Sequence, residues 1–257
     1  MAGANGNTMT NKTPDSPKPV PTFTAAYHSR QWEVCYDSSR AFFEFLSETG
    51  AVPAKSDQHI VDLCTGSGAN LYWLLKGNPA LKLTGAEIDP ELVAYGNGRF
   101  AEEGMADAAK LITADVYDLP LADLTPTDGV IALQTVSWLP DEVGFIDACV
   151  SLEPNWIALT GLMIEGGHTY RTVINDHGNP DKGVNFYNTF SLDHLRELFD
   201  ERGYMIDTVK PFEIGIDLAK PATPGPGTYT EKTVDGRRLQ ISGALLMNWH
   251  FLLARRA

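Results

Sequence analysis

Cysteine is scarce in this chain of 257 residues, which contains only Cys35, Cys64 and Cys149. Three widely separated cysteines cannot build a disulfide framework, and their spacing does not match a zinc site. We therefore expect no metal centre. A reducing compartment fits this composition, and the cytoplasm is the predicted location.

Long apolar segments are missing as well. The longest candidate runs from Ala244 to Ala254, and Asn248 and His250 interrupt it. A membrane-spanning helix needs about 20 predominantly apolar residues. The sequence therefore predicts no association with a membrane and assigns this segment to a buried strand.

Basic residues are few. The chain has 20 Lys and Arg residues and 33 Asp and Glu residues, which give a formal net charge of -13. Binding to a nucleic-acid backbone relies on Lys and Arg residues that displace counterions. We therefore predict a small-molecule partner rather than a nucleic acid. The sequence leaves the oligomeric state open, and a homodimer is compatible with it.

The N-terminal residues 1–22 are rich in Gly, Asn, Thr and Pro and are expected to form a disordered tail. Residues 23–257 are predicted to form one domain. This domain begins with a helical cap at residues 23–50, where aromatic side chains recur at roughly helical spacing.

After the cap, apolar strands alternate with helices. Strands are predicted at 59–64, 81–88, 110–114, 128–134, 156–163, 204–209 and 247–253. Helices are predicted at 70–76, 90–103 and 191–202, and a further one begins after Pro140. The alternation predicts an α/β fold, a doubly wound and mostly parallel seven-stranded sheet with helices on both faces.

Two segments break this alternation. Residues 164–190 are polar and aromatic, and residues 215–245 contain a hairpin signal at Asp235-Gly236. We interpret both as insertions that border a substrate site, with the first as a candidate lid.

A glycine-containing turn follows the first predicted strand, in the sequence Asp62-Leu63-Cys64-Thr65-Gly66-Ser67-Gly68. Such glycines allow backbone N–H groups to approach a ligand beside the N-terminus of the next helix. A dinucleotide-binding turn would carry a third glycine at position 71, but Leu71 stands there. The sequence therefore disfavours a nicotinamide or flavin cofactor.

Two further strand ends carry acidic residues. Glu87 ends the second predicted strand, 19 residues after Gly68, where a carboxylate can accept both hydroxyls of a ribose. Asp115 ends the third strand beside the apolar Val116, which could border an adenine ring. We predict that these strand ends converge on one nucleoside-containing ligand.

These segments resemble the motifs of the class I S-adenosylmethionine-dependent methyltransferases, over about residues 24–255. The resemblance implies a Rossmann-like methyltransferase fold with S-adenosylmethionine as cofactor. It implies contacts to the methionine part from Asp62 and Gly66 to Gly68, to the ribose from Glu87, and to the adenine from Asp115 and Val116. It also implies that Gln134 to Trp138 form the floor near the sulfonium. We further predict Tyr27, Cys64 and Ile88 as cofactor-binding residues. Cys64 departs from the family pattern, because it replaces the usual first glycine.

A finer resemblance covers the second half of the chain. Tyr187-Asn188, the segment 227–232 and the segment 240–243 resemble a bacterial subgroup associated with surface-polysaccharide assembly. This implies methyl transfer to an oxygen of a sugar or of a phosphate-like, phosphoramidate-type metabolite. Two alternatives stay open: an N- or O-methyltransferase of natural-product tailoring with a more apolar acceptor pocket, and a non-catalytic module that binds S-adenosylmethionine.

The candidate residues on the acceptor side come mainly from loops. His168 and His177 are the candidate catalytic bases, since imidazole titrates near neutrality. The candidate substrate-binding residues are Trp138, Tyr170, Arg171 and Tyr229, of which Arg171 would suit an anionic acceptor. Each could instead be an ordinary loop residue, and Tyr27, Trp32 and Tyr36 could either close over the cofactor or pack in the core.

Overall fold

The computed structural model of the chain describes residues 25–175, 177, 184–222 and 227–257. The tail predicted at residues 1–22 lies outside this range. No helix in the described ranges is both long enough and apolar enough to cross a membrane.

The strands of the described residues form one large sheet and two small ones. In chain order they are β1 His59–Leu63, β2 Lys82–Glu87, β3 Ala109–Thr113, β4 Gly129–Ala132, β5 Trp156–Ile164, β6 Val173–Asn175, β7 Val184–Phe186, β8 Thr189–Ser191, β9 Tyr204–Pro211, β10 Thr228–Lys232, β11 Arg238–Ser242, β12 Leu245–Leu246 and β13 Trp249–Arg256. The large sheet has the order β3-β2-β1-β4-β5-β13-β9, and β8 pairs with β5. Strands β1 to β5 and β8 pair in parallel, whereas β13 is antiparallel to both of its neighbours.

All seven predicted strands are present, and the α/β fold class is confirmed. Several boundaries differ for local reasons: the first strand ends before Cys64 and the fourth before Gln134, because both residues have positive φ angles, 58° and 57°. The last strand begins at Trp249 rather than at Met247, because the Met247 N–H donates to Gln240 in a small sheet. The short strand β8 was not predicted.

Seven helices occur in the described residues: α1 Ala25–Glu33, α2 Asp37–Glu48, α3 Ala69–Gly77, α4 Pro90–Glu102, α5 Leu121–Leu124, α6 Glu142–Ser151 and α7 Leu192–Asp200, together with a 3₁₀ turn, η1, at Val136–Trp138. Side-chain caps define three helix starts. Asp89 accepts from the Glu91 N–H, Asp141 from Gly144 and Ser191 from His194. Each cap satisfies one of the free N–H groups of a first turn.

The core consists of two main clusters, one on each face of the large sheet. Ile60 and Val61 are consecutive in β1 and both fully buried, yet they belong to different clusters. Helices α1 to α4 cover the face of Ile60, and α6 and α7 cover the face of Val61. A parallel sheet buried on both faces is what a run of apolar residues without alternation predicts.

Two small sheets lie in the predicted insertions, and the second extends one residue beyond the predicted bound, to Leu246. Strands β6 and β7 form an antiparallel ribbon, and β10, β11 and β12 form a three-stranded sheet. The predicted hairpin is confirmed, because β10 pairs with β11 up to Lys232 and Arg238. Gly236 has a φ of 86°, and its N–H donates to the Thr233 carbonyl at 3.0 Å, which closes the turn.

Candidate functional site

A cleft of about 510 Å³ opens at the edge of the large sheet where β1, β2 and β4 end. The strand order reverses between β1 and β4, and ligands of open α/β sheets bind at such a switch point. The volume is within the usual range for small-molecule sites. One end of the cleft lies over β1 and β2, and the other lies over β5 and β13.

The turn after β1 is shaped by unusual backbone angles and by close packing. Cys64, Gly66 and Gly68 all have positive φ angles of 58°, 60° and 78°. A Cβ on Gly68 would lie 3.1 Å from Leu111 and 3.2 Å from Phe100, so only glycine fits there without rearrangement. Gly68 therefore supports the turn from the core side.

Gly66 and Glu87 meet at the cleft. The Glu87 side chain ends β2, and its Oε2 accepts the Gly66 N–H at 2.8 Å. Its Oε1 accepts the Asp89 N–H at 3.1 Å. Two backbone donors thus fix the orientation of a largely buried carboxylate that faces the cleft.

Asp62 lies beneath the turn, with 1% of its surface exposed, and is not one of the residues that line the cleft. It accepts a hydrogen bond from the Thr65 hydroxyl at 2.7 Å. Burial raises the pKa of Asp62 to about 7, the Thr65 hydrogen bond opposes this effect, and the Glu87 charge adds to it. Asp62 therefore stabilises the turn from the protein interior, through its hydrogen bond with Thr65.

Asp115 and Val116 lie past the end of β3, outside the residues that line the cleft. The Asp115 carboxylate accepts the Tyr117 N–H at 2.9 Å, and Val116 is buried in the core. The structure thus places both residues just after β3, the strand next to β2, without bringing them to the cleft surface.

The cap helices contribute to the β1–β2 end of the cleft. Tyr27, His28 and Tyr36 line it, and Tyr27 is 44% exposed. Burial lowers the pKa of His28, although a hydrogen bond with the Gln31 side chain and the charge of Asp89 oppose this effect. Trp32 is a core residue instead, because it is 2% exposed and its Nε1 donates to the Ser67 hydroxyl at 3.2 Å.

Gln134 lines the cleft two residues after the end of β4. Its positive φ of 57° is uncommon for a residue other than glycine. Its N–H donates to the Thr160 hydroxyl of β5 at 2.5 Å, and both residues line the cleft. This contact fixes the sharp change of direction at the end of β4.

The end of the cleft over β5 and β13 is aromatic. Trp138, Phe212, Trp249 and Phe251 line it, and the rings of Phe212 and Phe251 stack with centroids 5.2 Å apart. Sequence reasoning missed the last three residues. Because β13 is antiparallel to β5, its beginning rather than its end reaches this edge of the sheet, and that orientation is not encoded in the local sequence.

Charge is sparse in the cleft. None of its described lining residues is Lys or Arg. Among these lining residues, Glu87 is the single one with a carboxylate side chain. No group of three or more His, Cys, Asp or Glu side chains in the described ranges could hold a metal ion.

The structure does not bring the other acceptor-side candidates to the cleft. His168, His177 and Tyr170 are exposed, and Tyr229 is buried beneath the Lys220 ammonium group, 5.0 Å from its ring centroid. Arg171 is paired with another side chain, because its Nη2 lies 2.5 Å from both Glu142 carboxylate oxygens. None of these five residues lines the cleft.

Glu142 is the centre of a buried ionic contact outside the cleft. Its carboxylate contacts the Arg171 guanidinium and lies 3.3 Å from the His194 Nε2. Burial alone would raise the pKa of Glu142, but hydrogen bonds from Arg171, its own backbone and His194 outweigh burial and lower it. This contact ties the 164–190 segment to the starts of α6 and α7.

Comparisons with known proteins find similarity in the part of the chain that contains the turn after β1. Residues 60–152 match the family model of a methyltransferase domain. Sterol 4-C-methyltransferase strm-1 of Caenorhabditis elegans is 30% identical over 83 residues, which cover 32% of this chain and 24% of that protein. The chain thus spans about a quarter of the length of the curated relative that it matches.

Two solved structures extend the similarity over most of the chain. The glycopeptide N-methyltransferase MtfA, complexed with S-adenosylmethionine, has 15% identity and a TM-score of 0.56, with 87% of this chain and 96% of that chain covered. Magnesium protoporphyrin IX methyltransferase (ChlM) of Synechocystis PCC 6803, with bound S-adenosylmethionine, has 14% identity and a TM-score of 0.53, with 90% and 82% covered. The chain has the Rossmann-like methyltransferase fold that the sequence predicts.

Proposed function

We propose that the chain binds S-adenosylmethionine in the cleft and transfers its methyl group to a small uncharged acceptor. The observation that carries this proposal is the Glu87 carboxylate, which faces the cleft at the end of β2 beside the Gly66 turn. The match of residues 60–152 to a methyltransferase domain supports it, because both residues lie in that segment.

The β1–β2 end of the cleft fits this cofactor. Each Glu87 oxygen accepts one backbone N–H, so a further lone pair on each oxygen can accept a ribose hydroxyl. The space in front of the turn is open at Gly66. A Cβ added there would come within 4 Å of one described side chain only, that of His28, at 3.9 Å. We propose Tyr27, Cys64 and Ile88 as further contacts, because they line the same end.

The remaining cofactor-binding residues would act in two ways. Asp62 and Gly68 would act indirectly, by holding the shape of the turn. Asp115 and Val116 stay proposed adenine contacts, because they follow the strand next to β2.

The chain's own contribution to the reaction is positioning and proton removal. Bound S-adenosylmethionine supplies a methyl group on a cationic sulfur. Holding an acceptor oxygen in line with such a group can contribute about 7 to 11 kcal/mol at best. A base that removes the hydroxyl proton typically adds a factor of about 10² to 10⁴.

We propose His28 as the base, because its imidazole faces the cleft and its lowered pKa favours the neutral form that accepts a proton. His168 and His177 stay predictions in this role. Both are exposed, and neither lines the cleft.

The acceptor is proposed to be a neutral hydroxyl compound such as a sugar. The absence of Lys and Arg among the described lining residues argues against the phosphate-like acceptors of the sequence prediction, since anionic groups are usually held by such cations. Ser38, Ser39 and Asn70 line the cleft and offer neutral hydrogen-bonding groups.

A second candidate is N- or O-methylation of a more apolar natural product. The aromatic end formed by Trp138, Phe212, Trp249 and Phe251 favours it, because this surface suits an apolar body better than a fully hydrated one.

The experiment is transfer of an isotope-labelled methyl group to a panel of sugars, sugar phosphates and neutral aromatic alcohols and amines. Labelled product from a neutral hydroxyl compound is expected, and exclusive labelling of the sugar phosphates would contradict the proposed acceptor class. Cofactor binding by calorimetry without any labelled product would instead favour the non-catalytic module.

A further inference from the structure

The aromatic end of the cleft is supported from behind by a small cluster of buried residues. Its members are Leu162, Tyr187, Met247 and Trp249, with Ile174, Phe212 and Leu245 packed against them. Phe212 and Trp249 also line the cleft. Ile174 belongs to β6 and Leu245 to β12, so both small sheets pack against the back of the cleft wall.

Tyr187 connects these parts. Its ring centroid lies 4.1 Å from that of Trp138, with an angle of 50° between the ring planes. Its hydroxyl is hydrogen-bonded with the side chain of Ser242, which is buried in β11. Its backbone N–H donates to the Thr172 carbonyl at 3.0 Å. One side chain thus touches the cleft wall and the three-stranded sheet.

Asn188, the next residue, fixes η1 on both sides of Trp138. The Asn188 N–H donates to the Ser137 carbonyl at 2.8 Å, and its Nδ2 donates to the Leu139 carbonyl at 2.9 Å. Asn188 is fully buried, so these bonds are shielded from water. The backbone on either side of Trp138 therefore has little freedom to move.

Trp138 itself is 41% exposed, although its backbone and one side of its ring are held. We propose that Tyr187 is a positioning residue that holds the Trp138 ring as a stacking surface for the acceptor, and that the acceptor presents a neutral ring with an apolar face to it. This inference rests on the proposed methyl transfer and deepens it, because it assigns acceptor selectivity to the two small sheets.

A neutral ring suits this end for two reasons. Aromatic side chains offer a large apolar surface with a preferred geometry for flat partners. The described lining residues offer no Lys or Arg to offset the cost of removing an anion from water. The ring of a pyranose and that of an aromatic alcohol share this chemistry, so the experiment must separate them.

The test uses full-length protein saturated with S-adenosylhomocysteine, the demethylated product of the proposed cofactor. Methyl β-D-glucopyranoside and 2-naphthol are titrated as neutral probes, and glucose 1-phosphate and 2-naphthoate as their anionic counterparts. At least one neutral probe is expected to bind five times more tightly than its anionic counterpart, and the probe that does so identifies the source of the ring. Binding of neither neutral probe, or equal binding of the anions, would overturn the inference.

Tyr187→Leu tests the positioning role, with Tyr187→Phe as the matched variant that keeps the ring and loses the hydroxyl. We expect Tyr187→Leu to raise the Kd of the neutral probe at least fivefold. It should also increase the acrylamide quenching of Trp138 fluorescence. The fluorescence of Trp138 is obtained by subtracting that of the same protein with Trp138→Phe. Tyr187→Phe should change both by less than twofold. An unchanged probe Kd in Tyr187→Leu would overturn the positioning role.

Two controls distinguish a failure of this inference from a failure of the proposed function. The Kd of S-adenosylhomocysteine should change less than twofold in both variants, because the cofactor end lies over β1 and β2. If the unmodified protein does not bind S-adenosylhomocysteine, the proposed function itself fails. If Tyr187→Leu does not fold, Tyr187→Met and Trp138→Leu, which changes an exposed side chain, replace it. Each should raise the Kd of the neutral probe at least fivefold. An unchanged Kd of the neutral probe would again contradict the positioning role.

Discussion

The Glu87 carboxylate accepts the Gly66 N–H at 2.8 Å and thereby links the end of β2 to the turn that follows β1. Neighbouring parallel strands in this sheet end side by side, so residues that are 21 positions apart in sequence meet at one edge. The bond leaves the carboxylate oriented before any ligand arrives. A site that is already arranged loses less free energy when it binds.

The packing around Gly68 gives a prediction about stability. Gly68→Ala should lower the free energy of unfolding by about 2 to 4 kcal/mol, because it adds strain at a positive φ to a clash with Leu111 and Phe100. Gly104→Ala is the matched control, since Gly104 has a φ of 70° and open space around it. It should cost about 1 kcal/mol, from backbone strain alone. Urea denaturation measures both, and equal losses would show that the close packing at Gly68 is unimportant.

Asp62 gives a prediction about pH. Its folded-state pKa is raised to about 7 from 3.8, so the folded protein binds more protons than the unfolded chain between these values. The contribution of Asp62 to stability therefore declines as the pH rises from about 4 to 7, by about 4 kcal/mol at most. Asp62→Asn keeps an acceptor for the Thr65 hydroxyl and cannot ionise.

Urea denaturation of both proteins at pH values from 4 to 8 measures this effect. The free energy of unfolding of the unmodified protein should fall relative to that of Asp62→Asn as the pH rises. Parallel pH profiles would mean that Asp62 keeps an ordinary pKa in the folded protein.

The buried contact of Glu142 gives a third prediction. Arg171→Met removes the partner of a carboxylate that is only 3% exposed, and loss of one partner of a buried pair costs about 3 to 5 kcal/mol. Because Arg171 itself is 46% exposed, we expect about 3 kcal/mol or less. Arg196→Met breaks an exposed pair with Asp193 and should cost about 0 to 1 kcal/mol. Thermal unfolding compares the two, and similar melting temperatures would contradict the assigned importance of Glu142.

Much of the sheet could be predicted because its signals are local. The caps Asp89 and Ser191 and the glycines of the first turn each mark a boundary through the residues next to them. Strand β8 could not be predicted in this way. Its three residues lie in a polar segment, and they form a strand only because β5 extends to Ile164 and pairs with them.

The candidate site was predictable in one half only. Glu87 and Gly66 follow strands whose order obeys a general rule of α/β folds, so their approach could be expected. Trp249 and Phe212 reach the cleft through the antiparallel pairing of β13, which depends on contacts far apart in sequence. His168 and Arg171 are candidates by residue type alone, and residue type does not determine which way a loop side chain points.

The most direct test of the proposed cofactor site is calorimetric titration of S-adenosylhomocysteine into the unmodified protein, Glu87→Gln and Glu102→Gln. The unmodified protein should bind it, and Glu87→Gln should weaken binding at least tenfold, about 1.4 kcal/mol, because it loses the charged acceptor of the ribose hydroxyls. Glu102→Gln, on the exposed side of α4, should bind like the unmodified protein. Absence of binding to the unmodified protein, or equal affinity in all three, would contradict the site.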